Sequence, residues 1–182
     1  MRPHVRSATV ALAGLLVLVA MSSGCSSAAK SAGMVPKNLV VDKTHPYSVQ
    51  IEVAGGRDTN PVTDAPQISD EAFAQAIADA IAESSLFSEI VQDGAADYRL
   101  RVEILSVEAP MMGMNMTAHM QALWELINTT TGEAVLRETI ASTHTATAGD
   151  YLVGVTRSRL ATEGAASDNI EQGLSKIVKL DL

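Results

Sequence analysis

Three stretches of this 182-residue chain alternate apolar and polar side chains with a period of two. That period commits them to a sheet with one covered face. In Tyr47–Val53, Tyr47, Val49, Ile51 and Val53 point one way, and Ser48, Gln50 and Glu52 the other. Tyr98–Val107 repeats the scheme, with Tyr98, Leu100, Val102 and Ile104 inward and Arg99, Arg101 and Glu103 outward. Pro110 interrupts. A third stretch, beginning as early as Met112, puts Met112, Met114, Met116, Ala118, Met120, Ala122, Trp124 and Leu126 on one face. Thr129-Thr130-Thr131-Gly132 then reads as a hairpin turn into a fourth strand, Ala134–Thr147.

Two amphipathic stretches supply the cover. Ser69 can cap a helix whose first turn carries Asp70 and Glu71, with Ile68 and Phe73 at the staple positions. Phe73, Ala76, Ile77, Ala80 and Ile81 form its apolar stripe, and Ser84-Ser85 ends it. A last helix, from about Thr156 to Lys179, aligns Leu160, Gly164, Ser167, Ile170, Leu174 and Ile177 on one face. The order strand, helix, three strands, helix predicts an α+β two-layer sandwich: an antiparallel sheet with two helices packed on one face. Matching charge with charge and apolar with apolar sets the register of the last hairpin. Glu125 then stands opposite Arg137, Leu126 opposite Leu136, Ile127 opposite Val135 and His119 opposite Thr143, and His144 points to the other side.

The chain opens with Arg2 and Arg6, then the apolar run Ala8–Met21, then Ser22-Ser23-Gly24 and the only cysteine, Cys25. The run holds 14 residues, against about 20 for a spanning helix, and small residues stop it. This is the layout of a secretory signal. It divides the chain into a signal peptide at 1–24, a flexible, small-residue tether at 25–37 and a single domain at 38–182. The end of the signal resembles the lipobox of bacterial lipoproteins, with Gly24 and Ser23 fitting the pattern and Ser22 standing where an aliphatic residue is usual. The resemblance implies that Cys25 is acylated and becomes the new N-terminus, a stable membrane anchor once two or more chains are attached. Ser26, rather than Asp, follows the cysteine, which favours the outer over the inner membrane. The domain would then face the periplasm.

Removing Arg2 and Arg6 leaves 11 basic against 21 acidic residues, a formal charge of −10. With no Lys/Arg cluster, nucleic acid is excluded as a partner, and attraction to anionic lipid is disfavoured. With Cys25 acylated no disulfide can form, so packing alone holds the fold. The element order resembles small Gram-negative lipoproteins, the uncharacterised YajG-type ones and, more loosely, the lipopolysaccharide-assembly lipoprotein. Ala96-Asp97-Tyr98-Arg99-Leu100 and Gly154-Val155-Thr156-Arg157-Ser158-Arg159-Leu160-Ala161 are similar to segments of small proteobacterial lipoproteins with no assigned activity. The resemblance supplies no catalytic motif.

No residue pattern replaces one. The thiol is spent on lipid, and Gly-x-Ser-x-Gly is absent. Ala54-Gly55-Gly56-Arg57 lacks the Lys-Ser/Thr of a phosphate loop and reads as a strand-ending turn. His45 is expected in solvent, and the predicted register separates His119 from His144. Glu163 and Glu171 are expected as solvated charge on the last helix, with Arg157 and Arg159 as their partners. No cofactor is indicated. The oddest composition is Met111-Met112-Gly113-Met114-Asn115-Met116. Flexible thioethers suit an adaptable surface, so Met112, Met114 and Met116 are expected to contact another protein or an acyl chain. The reading is a non-catalytic, lipid-anchored accessory component that binds an envelope protein partner. The alternatives are a periplasmic small-molecule or copper carrier using clustered methionine, and a hydrolase with an unrecognised site.

Overall fold

A computed structural model of the protein describes residues 28–57, 67–109 and 112–182. The signal, Cys25 and Pro110 lie outside the described residues. The elements are α1 (Ser31–Met34), β1 (His45–Ala54), α2 (Asp70–Ser84), β2 (Phe87–Ile90), β3 (Tyr98–Glu108), β4 (Met116–Asn128), β5 (Ala134–Ala146) and α3 (Gly154–Val178). They form an α+β sandwich, one five-stranded sheet in the order β2-β1-β3-β4-β5 with helices on one face. The alternation does what its period requires. Leu100, Val102, Ala118, Met120, Ala122, Trp124 and Leu126 are buried under the helices, and the opposite face keeps its charged and hydroxyl side chains.

The antiparallel part, β3-β4-β5, has the predicted register at Glu125–Arg137, Leu126–Leu136 and His119–Thr143. One step departs from it. A register shift after Leu126 puts Ile127 opposite Ala134 rather than Val135. The strand between helix and β3 that the sequence reading omitted is β2, only four residues long, in which alternation has no room to show. Both neighbours of β1 run parallel to it. β2 pairs with its first half up to Val49, and β3 pairs with its second half from Val49 onward. α2 brings the chain back to the start of the sheet, and residues 91–97 carry it across β1 from one edge to the other. Asp97 fixes that crossing, since its carboxylate accepts from Ser48 N (2.8 Å) and Ser48 Oγ (2.7 Å).

α2 begins as predicted. Ser69 Oγ accepts from Ala72 N, Ile68 and Phe73 are both buried, and Ser85 closes the helix in the left-handed conformation at φ 53°. α3 is rotated from the predicted face in its first half. Ala161, Ala165 and Ala166 are buried, whereas Leu160, Gly164 and Ser167 are only half-buried. The inward surface is built of small residues so that helix and sheet approach closely, and leucine spacing does not report it. Two glycines carry the approach. A Cβ on Gly173 would stand 2.6 Å from the Trp124 ring, and one on Gly164 would overlap the His144 ring. Asn169, fully buried, joins the layers by hydrogen bonds. It accepts from Trp124 Nε1 (2.9 Å) and donates to Ile140 O (3.0 Å) and Ser142 Oγ (3.2 Å).

Two further expectations need correcting. Residues 28–37, read as tether, are instead docked on the domain: Met34 is fully buried, Ala29 N donates to Gln67 O, and Lys30 N donates to Glu163 Oε1 at 2.9 Å. Small residues permit this because Gly33 passes against the Glu163 carboxylate where any Cβ would collide. His45, expected in solvent, is buried, its Nε2 bonded to Ile177 O at 3.0 Å and its ring against Phe87.

Candidate docking surface

Met116 pairs with Ala146, so the chain enters β4 and leaves β5 at the same end of the sheet. The loop 112–115 and the loop 147–153 meet there. Asp150 closes the second loop on itself by accepting from Thr147 N (2.6 Å) and Thr147 Oγ1 (2.9 Å). The Thr147 backbone bond, with its hydroxyl bond next, holds the Asp150 carboxyl below the usual carboxylate range.

Arg157, in the first turn of α3, ties the two loops together. Its side chain is largely buried, and Nη1 donates to Tyr151 O (2.8 Å) and Leu152 O (2.8 Å). Nη2 donates to Gly113 O at 3.0 Å. Gly113 has φ +140°, a conformation that a side chain disfavours. With its carbonyls bound inward, each loop turns apolar side chains outward. Met112 is 88% exposed, Met114 78%, Leu152 89%, Val155 62%, Val153 56% and Tyr151 52%. Six large apolar groups at one end of a domain are more than scattered surface hydrophobics. Between 112 and 115, and between 151 and 155, no acidic or basic residue interrupts them.

Of the methionines predicted to share one face, Met112 and Met114 belong to this surface. Met116 does not. It is 1% exposed in the domain's own core, and so is Met120, because regular pairing and inward alternation begin at Met116 rather than Met112. The thioethers therefore diverge, two into solvent and two into the core. Tyr151, Leu152, Val153 and Val155 are absent from the sequence-predicted site. The signal was present as four apolar residues between the fourth strand and the last helix. Cys25 lies outside the described residues.

The remaining candidates are placed apart. His119 Nδ1 bonds Thr143 Oγ1 (2.9 Å) on the open face, while His144 Nδ1 bonds Asp168 Oδ2 (3.2 Å) beneath α3. Glu163, expected in solvent, is buried between Arg159 (2.6 Å) and the Lys30 amide. Arg157 contacts backbone carbonyls rather than an acid. A shallow depression between β5 and α3, lined by Ser142, Thr143, Asp168 and Glu171, is open to solvent. Among the described residues no three His, Cys, Asp or Glu side chains are grouped to hold a metal, and no helix is long and apolar enough to cross a membrane.

The fold is a known one. A Xanthomonas campestris protein of the DUF330 family superposes with a TM-score of 0.59 at 13% identity, covering 79% of this chain and 91% of that one. A hypothetical protein from Chlamydia trachomatis gives 0.54 at 9% identity, covering 74% and 96%. A minor lipoprotein from Acinetobacter baumannii gives 0.48 at 11% identity, covering 74% and 92%. No protein-family model matches the chain, and no curated protein is significantly similar to it in sequence.

Proposed function

We propose that the protein is a lipid-anchored accessory domain of the bacterial envelope, held through acylated Cys25 at the outer membrane and facing the periplasm. It acts by contact and not by catalysis. The observation that carries this reading is the two-loop apolar surface around Arg157, together with the signal that ends at the only cysteine. Every cluster of titratable groups described above is engaged internally or faces open solvent, and none lines a closed cleft. A buried guanidinium spent on shaping two apolar loops points to a surface kept ready for a neighbour. The polar open face of the sheet leaves a second, separate surface for an envelope protein partner.

Cell fractionation of Cys25→Ser tests the anchor. The substitution is expected to move the protein out of the membrane fraction or to leave it unprocessed. A variant that still sediments with membranes, at the mature mass of the wild type, would sink the reading.

A further inference from the structure

The path of the N-terminal segment says what the apolar loops face. Lys43 Nζ bonds Leu180 O (2.7 Å) just past the C-terminal end of α3, and Lys30 N bonds Glu163 Oε1 (2.9 Å) in its first half. Followed backward from Lys43 to Lys30, the chain therefore climbs about 25 Å along α3 towards its N-terminus, at 1.5 Å per helical residue. Ala29 N then bonds Gln67 O, and Gln67 Nε2 bonds Val107 O (3.3 Å), one residue from the end of β3. The described chain thus ends at Ala28 on the side of the molecule where β3 ends, β4 begins and α3 begins. The loops carrying Met112, Met114 and Leu152 are at that end too.

Cys25 is three residues from Ala28, at most about 10 Å of extended chain. The docking of residues 28–37 leaves so little slack that an acylated Cys25 would hold this end of the domain against the bilayer surface. From Glu163 to the start of α3 at Gly154 is a further ~14 Å of helix, in the direction of the loops.

We propose that Met112, Met114, Tyr151, Leu152, Val153 and Val155 insert into the membrane that holds the Cys25 lipid, forming a second, reversible contact beside the anchor. This rests on the lipid-anchor reading above. The occupant is the acyl and headgroup boundary of a lipid surface. The apolar spans 112–115 and 151–155 carry no acidic or basic residue, the neighbouring Asp150 carboxylate being engaged by Thr147, and Tyr151 is of the residue type that prefers the headgroup level. The formal charge of −10 on the mature chain disfavours anionic headgroups as the attraction. Insertion should therefore occur on neutral lipid and resist salt.

Once Cys25 is acylated the chain holds no other thiol, so single cysteines can report the contact. The full-length lipidated protein, as Met114→Cys, Leu152→Cys or Thr130→Cys, is labelled with an environment-sensitive fluorophore and reconstituted in phosphatidylcholine vesicles. Thr130 is the control, exposed in the β4–β5 hairpin some 40 Å away along β4, given a strand rise of about 3.3 Å per residue. At 114 and 152 the emission is expected to shift to the blue and be quenched by doxyl-labelled lipid, with neither change at 130. Vesicle flotation separates the two ideas. Protein that floats while both labels stay as wet as that at 130 overturns insertion and leaves the anchor standing. Protein that does not float overturns both. Burial of the labels without vesicles, accompanied by a dimer mass, assigns the surface to a second copy and overturns the proposal. So does a photo-crosslinker at 114 or 152 that captures an envelope protein rather than lipid in intact cells.

Discussion

At Gly173 the chain has no room for a methyl group. The Trp124 ring occupies the space, with carbon atoms 2.6 Å from where a Cβ would stand. Both neighbours are held, the helix by its length and the ring by the Asn169 hydrogen bond. Gly173→Ala should therefore lower unfolding stability by about 1–3 kcal/mol, the usual cost of overpacking, although alanine is the better helix former. Chemical denaturation would show it. Asp97 offers a pH test. The Ser48 backbone bond, with its hydroxyl bond next, keeps its carboxyl below the ordinary carboxylate value. A carboxyl depressed in the fold stabilises above its unfolded pKa, and that contribution is lost as pH falls through the folded one. Asp97→Ala should melt at a lower temperature than wild type at pH 7, and the gap should narrow as pH drops below about 4. A gap constant with pH would mean that the ionised form is not what holds the crossing over β1.

At the scale of elements, period and pairing were legible where side chains are large and strands are long. β3 and β4 follow from alternation and β5 from the hairpin turn before it, and the β4–β5 register follows from one charge pair and one leucine pair, Glu125–Arg137 and Leu126–Leu136. The first half of α3 was not legible, because alanine signals neither face and the packed surface is made of Ala161, Ala165 and Ala166. α1 was read as tether for a similar reason. Ser31-Ala32-Gly33 carries no stripe, and what holds it is a long-range bond to Glu163, 133 residues away from Lys30. The methionine run was recognised as unusual, but the boundary between loop and strand fell inside it. That boundary is testable. Met114→Asp should change stability by no more than about 0.5 kcal/mol, as at other exposed positions. Met116→Ala, two residues on, should cost about 2–5 kcal/mol through the cavity it leaves. Comparable losses from the two, measured by thermal and urea unfolding, would place the strand start at Met112 after all.

For the whole molecule the pieces converge on one arrangement. The sheet buries one face under α2 and α3 and leaves the other mainly polar, with Leu105 and Val135 part-exposed on its strands, and the six clustered apolar groups lie beyond the strands. They are gathered at one end, on two loops held by Arg157, and the N-terminal segment runs along α3 to that same end. Two of the six residues of this candidate site, Met112 and Met114, were visible beforehand. The other four, Tyr151, Leu152, Val153 and Val155, needed the fold, because residues about 40 positions apart in sequence meet only when β4 and β5 pair. The account stands or falls on the lipid at Cys25, which makes the short path to Ala28 an anchor. The most direct test is the intact mass of full-length protein purified from the membranes of a Gram-negative host. The predicted result is a chain beginning at Cys25 and carrying the added mass of a diacylglyceryl group and an N-acyl chain, both lost in Cys25→Ser. A mature chain beginning at Cys25 or elsewhere with no added mass would contradict it.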